Sequence, residues 1–152
     1  EGVALCNLVE AYVELGRYDE AIASSQEALA VIRELGSVRD EGYALYNLGR
    51  AHLELGRPAQ AADLFEQALA IHRAAGDRYG EAQVLQQLGN VHARAGRTTE
   101  ALEASVRARS LFESIGEDIR VEEISAQLEE LGAENGRPLS GASPADMTGL
   151  DM

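Results

Sequence analysis

Residues 1–40, 41–80 and 81–120 align on one another without a gap. Their first halves read EGVALCNL, EGYALYNL and EAQVLQQL, and a Gly-Arg pair recurs at Gly16-Arg17, Gly56-Arg57, Gly96-Arg97 and Gly136-Arg137. Four in-phase copies of one dipeptide are not a chance event. Self-similarity at a period of this length marks an architecture of stacked units, each burying its apolar face against the next.

Each unit reads as two helices. In the first, Leu5, Leu8, Val9 and Tyr12 fall at i, i+3, i+4 and i+7, the spacing of one helical face. The later units repeat it as Leu45, Leu48, Gly49 and His52, then Leu85, Leu88, Gly89 and His92. Gly16, Gly56 and Gly96 supply the left-handed residue that ends this helix. The second helix restarts at once, with Pro58 suited to a first helical position and Asp19, Glu20 and Glu100 complementing the N-terminal dipole. Its small-residue face carries Ala21, Ser25 and Ala28, then Ala61, Phe65 and Ala68, then Ala101, Ser105 and Ala108, and it stops near Gly36, Gly76 and Gly116.

The spacing Leu-x-x-Leu-Gly-x-x-(Tyr/His)-x-x-x-Gly-x-x-x-x-Ala-x-x-x-(Phe/Ser)-x-x-Ala resembles the tetratricopeptide repeat over residues 1–120 and the first helix of a fourth unit. The usual unit has about 34 residues. A unit of forty, without the proline that commonly closes the second helix, looks like the variety in kinesin light chains. It also looks like the C-terminal regions of actinobacterial regulators, including the Streptomyces antibiotic regulatory proteins and related signal-transduction ATPases. The resemblance implies an all-α solenoid of about seven helices that binds a protein or peptide partner.

The fourth unit stops after one helix. Val121, Ile124, Leu128 and Leu131 keep the helical spacing, and Glu122, Glu123, Glu129, Glu130 and Glu134 give a polar outer face suited to a terminal cap. The expected organisation is a solenoid over 1–135, with repeats 1–40, 41–80 and 81–120 and a capping helix at 121–134. A tail at 136–152, rich in Gly, Ser, Pro and Ala, is expected to be mobile unless it docks. The chain begins with Glu1, in phase with a repeat, which points to a piece of a longer polypeptide.

First helices of stacked hairpins line the concave surface, so the stripe beside their core-facing residues should face a groove. That stripe is Val3, Cys6, Asn7, Glu10 and Val13; then Tyr43, Tyr46, Asn47, Arg50 and Leu53; then Gln83, Gln86, Gln87, Asn90 and Ala93. The cap helix adds Glu123, Ala126, Gln127 and Glu130. Asn7, Asn47, Gln87 and Gln127 form a column of amides, each able to donate and accept. Two readings stand: the amides pair with the backbone of an extended peptide, or they bridge neighbouring helices. In the forty-residue relatives, an Asn at this place resembles the one that holds cargo peptides. Tyr43, Tyr46 and Arg50 form the expected anchoring cluster, since Tyr and Arg are enriched at binding hot spots.

Charge separates possible partners. The net charge is −13, all 13 basic residues are Arg, and the four units carry −5, −1, −1 and −6. Nucleic acid needs a basic patch, which this balance disfavours. A peptide with an apolar or acidic centre and basic flanks suits the distribution. Abundant Ala, Gly and Arg in the absence of Lys looks like a high-GC, actinobacterial gene. A lone Cys6 permits no internal disulfide and suits a reducing, cytoplasmic setting, and no apolar run approaches membrane-spanning length.

Neither catalytic chemistry nor a cofactor is indicated. His52 and His92 share a column one repeat apart, but neighbouring helices lie about 8–10 Å apart, too far for convergent metal ligands. No carboxylate pair is isolated in an apolar pocket, and no phosphate loop or nucleophile turn is present. The expected role is a binding scaffold, the regulatory portion of a larger bacterial regulator or signalling ATPase. Self-association, by end-to-end pairing or by the tail in a neighbour's groove, and an accessory domain of a larger enzyme are the alternatives.

Overall fold

The structure, a computed structural model, describes residues 2–134. Among them lie seven α-helices and no strand: α1 (Gly2–Glu14), α2 (Tyr18–Leu35), α3 (Val38–Glu54), α4 (Pro58–Ala75), α5 (Arg78–Arg94), α6 (Thr98–Ile115) and α7 (Asp118–Glu134). The cap helix therefore begins three residues ahead of the expected 121. The tail expected at 136–152 lies outside the described residues.

Two tight connections alternate along the chain. After α1, α3 and α5, a glycine at φ 70, 74 and 72° reverses the path. The next residue then donates back to a carbonyl five residues earlier, as Arg57 N–H does to His52 O at 2.9 Å. After α2, α4 and α6, Gly36, Gly76 and Gly116 serve in the same left-handed conformation. Arg33 then binds Glu41 at 2.7 Å and Arg73 binds Glu81 at 2.8 Å, so one repeat is tied to the next by the same pair in the same phase.

The layering follows from which helices touch. Consecutive helices pack throughout, and α1 also packs on α3 and α3 on α5. No comparable contact joins α2 to α4 or α4 to α6. α1, α3 and α5 therefore crowd into an inner layer and the even helices splay outside it, which curves the stack toward them, while α7 stands off α5 and meets it through Gln127.

Where the two layers cross, side-chain sizes are matched within each repeat. Phe65 on α4 is fully buried, and a Cβ on Gly49 of α3 would lie only 2.6 Å from its ring. In the third repeat Gly89 faces Ser105, and a Cβ there would lie 2.5 Å from the hydroxyl oxygen. The first repeat instead buries Val9 together with Ser25, whose hydroxyl donates to Ala21 O at 2.7 Å. Burial along α1 departs from the expected face at one position. Leu8 is 46% exposed where Leu48 and Leu88 are 6% and 3%, because α1 has no preceding hairpin against it among the described residues.

Gly49→Ala should destabilise the chain by about 1–3 kcal/mol through overpacking against Phe65, despite the ~1 kcal/mol alanine gains over glycine within a helix. Denaturant unfolding would show it, and the same change in a Phe65→Ser background should cost markedly less.

Candidate functional site

The inner layer brings the expected groove residues onto one face but not into equal exposure. Asn7 and Glu10 on α1 are exposed, while Tyr43, Arg50, Gln83, Gln86, Gln87, Asn90 and Gln127 are half-buried. Tyr46 and Asn47 are buried, as are Cys6, Val13 and Leu53 of the same stripe. The stripe therefore grades from solvent into the contacts between odd helices. Tyr46 serves as packing as much as surface, its ring 6.1 Å from that of Phe65.

The amides divide between the two readings. Gln127 Nε2 of α7 donates to Asn90 Oδ1 of α5 at 2.5 Å, and Asn90 Nδ2 donates to Gln87 Oε1 at 3.4 Å. The Gln87 amide in turn hydrogen-bonds the Tyr46 hydroxyl of α3. Asn90 accepts at one end and donates at the other, so a polar chain runs across three odd helices. Asn7, Gln83 and Gln86 have no polar partner among the described residues. Asn47 is 5% exposed, and its Oδ1 accepts no hydrogen bond among those residues.

Two arginines of the groove are paired from one repeat to the next. Arg50 donates to Glu14 at 2.6 Å while its guanidinium lies 5.7 Å from the Tyr46 ring centre. Arg94 takes Glu54 at 3.6 Å and also donates to Leu53 O at 3.4 Å. Three cavities follow the inner face. One of about 360 Å³ lies between α1 and α3, lined by Asn7, Glu10, Tyr43 and Asn47 among others. A second of about 340 Å³ is framed by Arg50, Glu54, Gln87 and Arg94, and a third of about 450 Å³ by Asn90, Gln127 and Glu130.

One polar cluster was not read from the sequence. His72 on α4 occupies the repeat position of Ile32 and Phe112 and is buried like them. Its ring is wedged between the backbones of α3 and α5, since a Cβ on Gly42 would come within 2.9 Å of it and one on Gly80 closer still. Nδ1 lies 3.1 Å from Asp77 Oδ2, while the other Asp77 oxygen accepts from Gly80 N–H at 2.9 Å and caps α5. The Tyr43 hydroxyl also faces Asp77, and Arg39 lies 3.6 Å from it. The signal available was a histidine in an otherwise apolar column, five residues before an acidic N-cap. Among the described residues no group of three or more His, Cys, Asp or Glu side chains is placed to hold a metal. No described helix is long and apolar enough to cross a membrane.

Comparison with known proteins agrees with this geometry. A tetratricopeptide repeat family model matches residues 1–74. Residues 1–74 are tetratricopeptide repeats. A variant of a putative kinesin light chain from Podospora anserina, with nearly identical TPR-like repeats, superposes with a TM-score of 0.73 at 18% identity, over 88% of this chain and 66% of that one. BtubC (BKLC) from P. vanneervenii gives 0.64 at 18% identity, over 93% and 68%. A further structure of the Podospora repeats gives 0.60 at 18% identity, over 93% and 78%. At that identity the likeness is one of fold, and it extends the TPR-like solenoid through α7. The chain spans 66% of the first of these relatives. No curated protein matches the sequence. Tetratricopeptide repeats serve in protein–protein interaction, and their fold is a non-catalytic scaffold.

Burial pushes the His72 imidazole below its ordinary value of 6.5, and Asp77 only partly offsets this. His52 is lowered by the same cause. The unfolded chain then binds protons more readily near and below pH 6.5, so stability is complete above that pH and falls as the medium is acidified. Hydrogen bonds from Gly80 and Tyr43 hold the Asp77 carboxyl below 3.8, which adds a further loss in stronger acid. Thermal unfolding from pH 8 to pH 5 should show a falling Tm, and His72→Phe, copying Phe112, should flatten that limb.

Proposed function

We propose that the face formed by α1, α3, α5 and α7 binds an extended segment of a partner protein. The observation that carries this reading is the set of unpartnered groove amides. Asn7, which lines the cavity between α1 and α3, and Gln83 and Gln86 on α5 keep both donor and acceptor capacity, which suits the alternating N–H and C=O groups of an extended backbone. Glu10, Tyr43, Tyr46, Asn47 and Arg50 complete the surface on its acidic side. Gln87, Asn90 and Gln127 act chiefly as the internal chain that fixes the spacing of α3, α5 and α7. Affinities near micromolar, about −8 kcal/mol, suit a groove of this kind.

The larger setting proposed is the regulatory portion of an actinobacterial transcription regulator or signalling ATPase, working in the cytoplasm. The forty-residue unit and the all-Arg composition support it. A second reading, end-to-end self-association, is favoured by one observation. Val3, Leu8 and Leu15 of α1 are 62, 46 and 69% exposed, and the equivalents of Leu8 are covered by the preceding hairpin in both later repeats.

Peptides selected by display against this chain should lose about tenfold in affinity when Asn7 and Gln83 are both changed to Ala. Arg50→Glu should weaken them comparably, and Glu66→Arg on the outer helix α4 should not. Fluorescence anisotropy reads the difference; selected peptides indifferent to the inner changes would sink the groove reading. Sedimentation equilibrium tests the second reading, which requires a dimer that Leu8→Glu returns to monomer.

A further inference from the structure

The three intervals between odd helices are built on one plan, so each serves as a control for the others. Between α3 and α5, the Gln87 amide faces the Tyr46 hydroxyl across the interval and accepts from Asn90 one turn on. Asn47 holds the same repeat position between α1 and α3, and both of its counterpart partners have changed. Cys6 stands where Tyr46 would be, too short to reach it, and Arg50 stands where Asn90 would be, turned away to Glu14. These changes leave Asn47 Oδ1 buried without a donor. They also accompany the cavity of about 360 Å³ that Asn47 lines with Cys6, Asn7, Glu10, Asp40 and Tyr43.

Charge changes in the same place. Where the later repeats have Arg50 and Asn90, the first has Glu10; where they have Gly80 and Arg120, it has Asp40. The interval between α1 and α3 thus carries two carboxylates, and neither forms an ion pair among the described residues. Among the described residues Asp40 accepts only the Ser37 hydroxyl, at 2.6 Å, and a long contact from the Cys6 thiol to its backbone carbonyl. Arg39 is at the mouth of the cavity but turns to Asp77 on its other side. The field of both carboxylates reaches the floor: the Cys6 thiol is pushed up to about 11 by burial, then by Asp40, then by Glu10.

We infer that this cavity is a cation subsite of the groove, which takes an arginine, or less well a lysine, side chain of the bound peptide between Glu10, Asp40 and Asn47 Oδ1. The acceptors belong to two helices, Glu10 on α1 and Asp40 and Asn47 two turns apart on α3, a spread that the planar, five-donor guanidinium answers better than an ammonium. Each carboxylate contributes a charge-assisted hydrogen bond, and Asn47 gains the donor it lacks. The inference rests on the groove reading and extends it: the basic flank of the partner lies over α1 and α3, which sets the direction of the chain in the groove.

The test uses the whole chain and two probes: a positional library of acetylated, amidated nonapeptides scanned with arginine, lysine, citrulline and leucine, and Nα-acetyl-arginine methylamide alone. Bound peptides should share an arginine at one register position, and citrulline there should weaken binding about threefold to fivefold. Glu10→Gln, at an exposed position where folding is not at stake, should weaken arginine peptides about threefold and leave citrulline peptides unchanged. Asp40→Asn, checked for fold by circular dichroism, should remove the rest of the preference, and added salt should do so progressively. Peptides that bind through the groove without telling arginine from citrulline would overturn the subsite and leave the groove standing. Acetyl-arginine methylamide that shifts the Asn47 amide resonances in the parent but not in Glu10→Gln, with no peptide bound, would keep the subsite and sink the groove. Neither probe binding overturns both.

Discussion

The close approach of α3 to α4 at Gly49 and of α5 to α6 at Gly89 sets the geometry on which the inner face depends. With no Cβ at those crossings, the Phe65 ring and the Ser105 hydroxyl sit directly on helix backbone. Hairpins held that tightly behave as rigid units. They then stack through contacts that favour the odd helices, α1 on α3 and α3 on α5, while the even helices stay apart. Curvature toward the inner face is a packing result, not a property of any residue in the groove.

On that frame, polar groups are distributed by a simple rule. Where an amide of one odd helix can reach a partner on the next, it is used for spacing, as in the run Gln127, Asn90, Gln87, Tyr46. Where the partner is too short or turned away, the amide is left over. A buried donor or acceptor without a partner costs roughly 1–3 kcal/mol, so a chain keeps few of them, and Asn47 Oδ1 is one. The His72–Asp77 pair shows a partial solution in the outer layer, since Nδ1 meets the carboxylate while Nε2 is buried without a partner among the described residues. There a buried histidine is matched to an acidic N-cap, and Tyr43 and Arg39 of the neighbouring repeat converge on the same carboxylate.

Most of the architecture was legible because the repeat is gapless. The Gly-Arg pairs occur four times and the small-residue faces and apolar spacing at least three, so errors at one position are corrected by the others. The start of α7 was less legible, because the unit boundaries at 41, 81 and 121 fall inside the first turn of α3, α5 and α7, which all begin three residues earlier on triplets that share no pattern. The site was legible only in part. Periodicity assigns Tyr46 and Asn47 to the stripe beside the core, but which side of that boundary a residue falls on depends on the inward crowding of the odd helices, and both are buried. Whether an amide is bridged or free was not readable at all. It turns on the partner in the next repeat, so that Gln87 and Asn47, at one repeat position, have opposite fates.

That dependence on neighbours explains why function in such a chain is carried by differences between repeats. A position that is the same in every unit can only specify the stack, because any role it had in recognition would be repeated at each step. Recognition of one segment in one register needs intervals that are unlike. Here the first interval has two unpaired carboxylates and an unsatisfied oxygen, the second Arg94 on Glu54 and the Leu53 carbonyl, and the third an amide bridge closed by Gln127. A ligand sliding by one repeat, about one helical hairpin, would exchange acidic surroundings for basic ones and lose its pairing. The forty-residue period builds the surface, and the departures from it at Cys6, Glu10 and Asp40 give that surface a direction.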